Sequence, residues 1–151
     1  MTKNRQTDAR SSTTRLFEAF NNHLEDLEET VDSYAEDDVL EEHASGARLQ
    51  GRPELREYLE GWYKASPDTH CELHRIIIEG DAVAVTFTAS GTPQQDFPGY
   101  IALPENRTDP IEYSVEYMAL FELAPDGLIL RETDYANPDE FTAETGERAA
   151  A

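Results

Sequence analysis

The chain has 151 residues, a length that suits one domain able to bury roughly two-thirds of its unfolded surface. Asp and Glu number 32 against 12 Lys and Arg, a formal net charge of -20 at pH 7, so phosphate is repelled over most of the surface and neither nucleic acid nor an anionic membrane is an expected partner. Cys71 is the only cysteine, which leaves no intrachain disulfide and no cysteine cluster for zinc.

Lys3 and Lys64 are the only lysines. An acidic, lysine-poor surface suits concentrated salt, where ions shorten the Debye length to about 3 Å at 1 M and screen self-repulsion, so a halophilic origin is expected. There is no apolar run of about 18 residues and no signal-peptide core in the polar start MTKNRQTDARSS, which makes a cytoplasmic location the expectation.

Residues 1–10 are polar and aperiodic and read as a flexible tail, with a domain over 11–141 and a second tail over 142–151. From Ser11 the pattern turns helical, with Leu16, Phe17 and Phe20 on one stripe. Leu24, Leu27, Val31 and Tyr34 form a second stripe, and Asn22 with Glu25 resembles a capping box, so two helices are expected to meet near Asn21–His23. VLEEHASG (39–46) reads as a brief strand or bend. GRPELREYLEGWYKAS then predicts a third helix, with Pro53 in its first turn and Leu55, Tyr58, Leu59 and Trp62 on one face.

Beyond Pro67 the period falls to two. CELHRIIIEG, DAVAVTFTASG, IEYSVEYMALFELA and GLILRETDYA are four strands rich in Val, Ile, Thr, Phe and Tyr. Gly80-Asp81 and Pro125-Asp126-Gly127 supply compact turns between antiparallel neighbours. The stretch from Gly91 to Pro110, with Pro93, Pro98, Pro104 and Pro110, predicts a long loop near a pocket mouth. Helices first and strands afterwards argue for an α+β fold.

The segments LFEAFNNHLEDLEETVDSYAEDDV (16–39), GRPELREYLEGW (51–62), EGDAVAVTFTASGT (79–92) and DGLILRETDYANP (126–138) together resemble the SnoaL-like polyketide cyclases, within the wider nuclear-transport-factor-2-like superfamily that also holds ketosteroid isomerases and limonene epoxide hydrolases. The resemblance implies three helices on a curved, mostly antiparallel sheet, forming a cone with an apolar pocket. It also implies a homodimer through the outer face of the sheet.

Asp134, in RETDYANP, stands where the resembling cyclases place their acid–base Asp in the last strand. Enclosure by apolar walls disfavours the charged form of a carboxylate and lifts its pKa towards the range useful for moving a proton beside a carbonyl; the alternative is that Asp134 only caps the chain before Pro138. Glu42 aligns with the catalytic Asp of the isomerases and is a second acid–base candidate, with a solvated surface Glu as the alternative in so acidic a chain. On a strand, its neighbour His43 faces the opposite way. The isomerases' oxyanion Tyr and Asp are replaced by Leu16 and Ala119, so ketosteroid isomerase activity is not expected.

Tyr113, Tyr117 and Phe121 share one strand face, where they either line the pocket or pack as core. Trp62 stands at a pocket rim or anchors its helix, and Tyr100, in the proline-rich loop, completes the candidate substrate-binding set. His23, His70 and His74 lack metal-ligand spacing, and neither a metal nor a cofactor is expected. The chain is thus read in one of two ways. It is a cyclase- or isomerase-type acid–base enzyme on a small apolar carbonyl compound, with Asp134 and Glu42 as catalytic candidates, or it is a non-catalytic ligand-binding or dimeric module of the same fold.

Overall fold

The computed structural model describes residues 3–96 and 99–142. Helix α1 (Lys3–Asn21) leads through a 3-10 turn at His23–Asp26 into the short α2 (Leu27–Asp32), then β1 (Tyr34–Glu42), β2 (Ala47–Gln50), α3 (Arg52–Ala65), β3 (His70–Glu79), β4 (Ala82–Gly91), β5 (Tyr113–Leu123) and β6 (Ile129–Ala136). The strands form one sheet in the order β2-β1-β6-β5-β4-β3. Among the described strands only the β1–β6 pair is parallel, and the other neighbours are antiparallel. This is the expected α+β architecture.

The sheet curves because register shifts interrupt its ladders between Leu73 and Arg75, between Glu122 and Leu123, and between Tyr34 and Val39. Each irregularity adds local twist and bends the strand that carries it. Alternation then separates the faces of β5: Tyr113, Val115, Tyr117, Ala119 and Phe121 are all buried. The helices close over this concave side. Asn21 at the end of α1 pairs with the backbone of Cys71 through both its amide groups (2.9 and 2.7 Å), and the Tyr63 hydroxyl of α3 donates to the Phe20 carbonyl (2.8 Å).

Four expectations need correction. Helix α1 begins at Lys3 instead of Ser11; its first turns have no apolar period to reveal them, yet the Thr13 hydroxyl bonds to the Ala9 carbonyl (2.7 Å) and the Arg10 guanidinium reaches the Ile76 carbonyl of β3 (3.5 Å). The second apolar stripe is not one helix: Leu27 and Val31 are buried on α2, Leu24 is 63% exposed, and Tyr34 already belongs to a strand. No side-chain cap forms at Asn22, whose amide instead bonds to Asp26 (2.9 Å), and His23 takes a left-handed φ of 57° that breaks the two helices apart. The brief strand or bend expected at 39–46 is the end of the longer β1, which hydrogen-bonds to β6, followed by the turn over 43–46. Of the proposed C-terminal tail, residues 143–151 lie outside the described residues, as does Pro98 of the loop.

Candidate functional site

The parallel β1–β6 pairing decides which acids meet. Its register sets Leu40 beside Glu132 and Glu42 beside Asp134, while the antiparallel partner β5 sets Phe121 beside Glu132 and Ala119 beside Asp134. Alternation along β1 points Asp38, Leu40 and Glu42 inward, and alternation after the β6 irregularity points Glu132 and Asp134 inward. All four acids are buried, from 0% exposure at Asp38 to 8% at Glu132 and Asp134.

A cavity of ≈ 90 Å³ opens in the cone beside them. Glu42, Glu132 and Asp134 line it, facing Leu16 and Phe17 of α1, Trp62 of α3, and Phe87, Tyr117 and Phe121 of the sheet. The Phe87 and Tyr117 rings stack at 5.1 Å and 6°, and Phe17 meets Phe87 edge-on.

The acids are in different states. Glu42 accepts from five donors: the Ala44 N–H (2.8 Å), the Ser45 N–H (2.8 Å), the Ser45 hydroxyl (2.6 Å), Tyr100 (2.5 Å) and Tyr117 (3.4 Å). Tyr58 donates in turn to Tyr100 (2.5 Å). Glu42 is thus buried, not solvated, and serves as the anchor of the turn after β1. Tyr100 reaches it because the loop descends onto that turn at Gly99, where φ is 82° and an added Cβ would stand 2.7 Å from Ser45 Cβ.

Glu132 accepts from the Tyr34 hydroxyl and shares a hydrogen bond with Asp134. Burial, the Glu132 charge and the bond to Glu132 together push the Asp134 pKa well above the usual carboxylate range, with Glu42 adding to the shift. Burial also raises Glu132, although the bonds from Asp134 and Tyr34 work against the rise. Both carboxyls are thus shifted towards the protonated form, Asp134 by burial and the Glu132 charge, Glu132 by burial against the bonds it accepts. Asp134 Oδ1 stays buried without a partner, as do both carboxyl oxygens of Asp38. Burial first and the Glu132 charge second raise the Asp38 pKa to about 6.

Of the sequence-predicted residues, the structure brings Asp134, Glu42, Tyr117, Trp62 and Phe121 together on the cavity wall. Tyr100 lies behind Glu42 as its donor. Tyr113 is turned away from the cavity into a second network, accepting from or donating to Thr69 (3.0 Å) and donating to Ser66 (3.0 Å), with Thr69 accepting from the Trp62 indole (2.7 Å). His43 points outward and stacks on Tyr135 at 4.7 Å. Sequence reasoning missed Glu132, Asp38, Tyr34 and Tyr58. Strand alternation carried the signal for two of them, since an inward Asp134 implies an inward Glu132 and an inward Glu42 implies an inward Asp38. No group of three or more His, Cys, Asp or Glu with metal-holding geometry occurs among the described residues, and no described helix is long and apolar enough to cross a membrane.

Known structures share this fold at low identity. AclR from Streptomyces galilaeus, a proposed hydroxylase, is 21% identical over 93% of this chain and 96% of its own, with a TM-score of 0.74. A proposed SnoaL-like polyketide cyclase from Jannaschia is 19% identical over 86% of this chain and 85% of its own, TM-score 0.71. SalBIII, an epoxide hydrolase/cyclase-like enzyme of pyran ring formation in the polyether salinomycin, is 21% identical over 89% of this chain and 95% of its own, TM-score 0.71. No curated protein matches the sequence. The SnoaL-like domain profile matches residues 13–132, from within α1 through the sheet to Glu132 itself, and the chain belongs to the SnoaL-like domain family.

Proposed function

We propose that the protein is an acid–base catalyst of the cyclase or isomerase type, acting on a small carbonyl compound held in the cone cavity. The observation that carries this reading is the buried Glu132–Asp134 pair lining the cavity, with Asp134 Oδ1 unpartnered; the reading gives this pair one shared proton.

Such a pair can pass a proton without building charge on either acid alone. Asp134 Oδ1 takes a proton from carbon next to the carbonyl while the proton Asp134 shares moves onto Glu132. The pair gains one proton, and the ligand is left as an enolate whose oxygen the Tyr117 hydroxyl can meet from β5. Returning the proton to a different carbon completes an isomerisation; in a ring closure the enolate carbon instead bonds to a second carbonyl carbon of the same ligand, whose oxygen takes the electron pair and then the proton held by the pair. Glu42, its oxygens already taken by five donors, fixes the position of Tyr117 and Tyr100 in this scheme.

A second reading, a non-catalytic dimeric module, draws on the outer face of the sheet. There Met118 and Tyr135 pair across β5 and β6 and are 52% and 50% exposed, an apolar patch of the kind that marks a contact surface. A halophilic setting remains part of the proposal and rests on the net charge of -20.

Native mass spectrometry of purified protein should identify the retained ligand, and deuterium exchange at its enolisable carbon should follow catalysis. The reading expects Asp134→Asn and Glu132→Gln each to slow exchange by about 100-fold or more, the usual contribution of a positioned acid or base. Exchange that proceeds unchanged in Asp134→Asn would remove that residue from catalysis and leave the binding reading.

A further inference from the structure

The cavity is unusual in the sign of everything that faces it. Three acidic side chains line it, and no Lys, Arg or His is among the described residues of its lining. Asp38, fully buried beside Glu132, adds a fourth acid behind the wall. Arg52, the cationic group felt by Asp38, is held outside: its guanidinium donates twice to the Tyr34 carbonyl (2.9 and 2.6 Å) and lies 3.5 Å from Asp32.

The rest of the lining is largely aromatic. Phe17, Tyr58, Trp62, Phe87 and Tyr117 contribute rings to the lining, and the face of an aromatic ring carries negative potential. Carboxylates and aromatic rings thus line one small volume, and the acids favour a positive charge and repel a negative one. A buried anion without a counter-charge is costly. Protons supply the compensation in the free protein. Asp134 nonetheless lines the cavity with its Oδ1 buried and unpartnered, an acceptor with spare capacity beside the ligand space.

We infer that the cone cavity takes a small organic cation, a molecule bearing an ammonium or quaternary ammonium group that sits among the aromatic rings beside the Glu132–Asp134 pair. The inference rests on the reading of this cavity as the ligand site and narrows the carbonyl compound proposed above to an amino-substituted one. An anionic substrate is excluded by the same charges, and a wholly neutral one would leave the acids compensated by protons alone.

Binding is then coupled to proton release. The groups facing the pair are Asp38, Glu42 and Tyr34 from β1, Tyr117 from β5, Tyr58 from α3 and Cys71 from β3. All of these are acids or neutral donors, so no cationic side chain competes for the pair, and an entering cation favours its deprotonated form. Affinity therefore rises as pH rises.

The test is isothermal titration of the full chain with tetramethylammonium chloride against tert-butanol, a neutral molecule of similar shape, at matched ionic strength. The expected result is that tetramethylammonium binds about tenfold or more tightly than the alcohol. It should also release protons into buffers of differing ionisation enthalpy and weaken in Glu132→Gln, while Glu105→Gln, which removes an exposed acid, changes nothing. Equal binding of the two probes, tighter binding of the alcohol, or no binding of tetramethylammonium overturns the inference; the wild-type comparison decides even if Glu132→Gln fails to fold. The two proposals fail separately. Cation preference with unchanged exchange in Asp134→Asn removes only the catalytic reading, whereas Asp134-dependent exchange of neutral carbonyls without cation preference removes only this one.

Discussion

Glu42 and Asp134 stand side by side in the parallel register of β1 and β6, yet Glu42 accepts five hydrogen bonds while Asp134 keeps one oxygen with none. The difference arises from the path of the chain just beyond each residue. After Glu42 the chain turns back at Ala44–Ser45 and presents its own N–H groups to the carboxylate; after Asp134 the strand runs on to Ala136 and offers nothing. One acid is thereby fixed in place by its own turn, and its neighbour is left with a capacity that only a proton or a ligand can fill.

Stability should fall as pH rises. Asp38 and Asp134 have folded-state pKa values raised above the ordinary 3.8, Asp38 to about 6 and Asp134 well above the usual carboxylate range. The folded state therefore binds more protons than the unfolded chain from about pH 4 upward, and stability present at low pH is lost as pH passes through the folded values. Surface repulsion pushes in the same direction, so the variants carry the test. Thermal melts at pH 5 and pH 8 should show Asp134→Asn and Asp38→Asn melting above wild type at pH 8 and losing less between the two pH values. Identical pH slopes in all three proteins would contradict the assignment.

Tyr34→Phe removes the hydroxyl that donates to buried Glu132 and leaves that carboxyl under-satisfied. A loss of about 1–3 kcal/mol is expected, read from urea denaturation at pH 7. Glu132→Gln added to Tyr34→Phe should recover part of it, because an amide tolerates burial better than a charge; a double variant less stable than the sum of the two losses would count against the bond.

Gly99→Ala should detach the loop from the turn after β1. The residue's φ of 82° already disfavours a side chain, and the new Cβ would lie 2.7 Å from Ser45 Cβ. The expected cost is about 1–3 kcal/mol, accompanied by faster hydrogen exchange at the Ala44 and Ser45 amides. Alanine at Gly46, where an added Cβ meets nothing within 4 Å although φ is 79°, is the control for conformational strain alone, and an equal effect there would show that loop contact is not the cause.

Salt dependence separates surface from core. Raising KCl from dilute buffer to the molar range should raise the melting temperature if the charge of -20 is relieved by screening. A midpoint indifferent to salt would remove the halophilic part of the proposal. The acids of the cavity, shielded from bulk ions, should leave the offset between wild type and Asp134→Asn at pH 8 nearly unchanged across the same range.

The elements with strong periodicity were legible: α3 and the four late strands lie close to where their apolar spacing puts them. Tyr34 was not, because its spacing from Leu27 and Val31 continues a helical stripe while its backbone has already become a strand. β2 was not, since Ala47–Gln50 is too short to establish a period. Asp134 was found through the family resemblance, but Glu132 was passed over although it lies two residues earlier on the same face. The burial of Glu42 depends on the turn after β1 and on Tyr100, which is 58 positions away in sequence; no local pattern announces either.

The last strand of the chain is also an interior strand of the sheet, inserted between β1 and β5. Without it, the first two strands and the meander β3–β4–β5 have no common ladder, and Glu42 has no acid beside it. The electrostatically costly cluster therefore depends on β6, and a chain cut short of Ile129 would keep β1–β2 and β3–β5 linked only through the helices, without a shared ladder and without the site. In the full chain, the strand that completes the fold is also the strand that creates the chemistry.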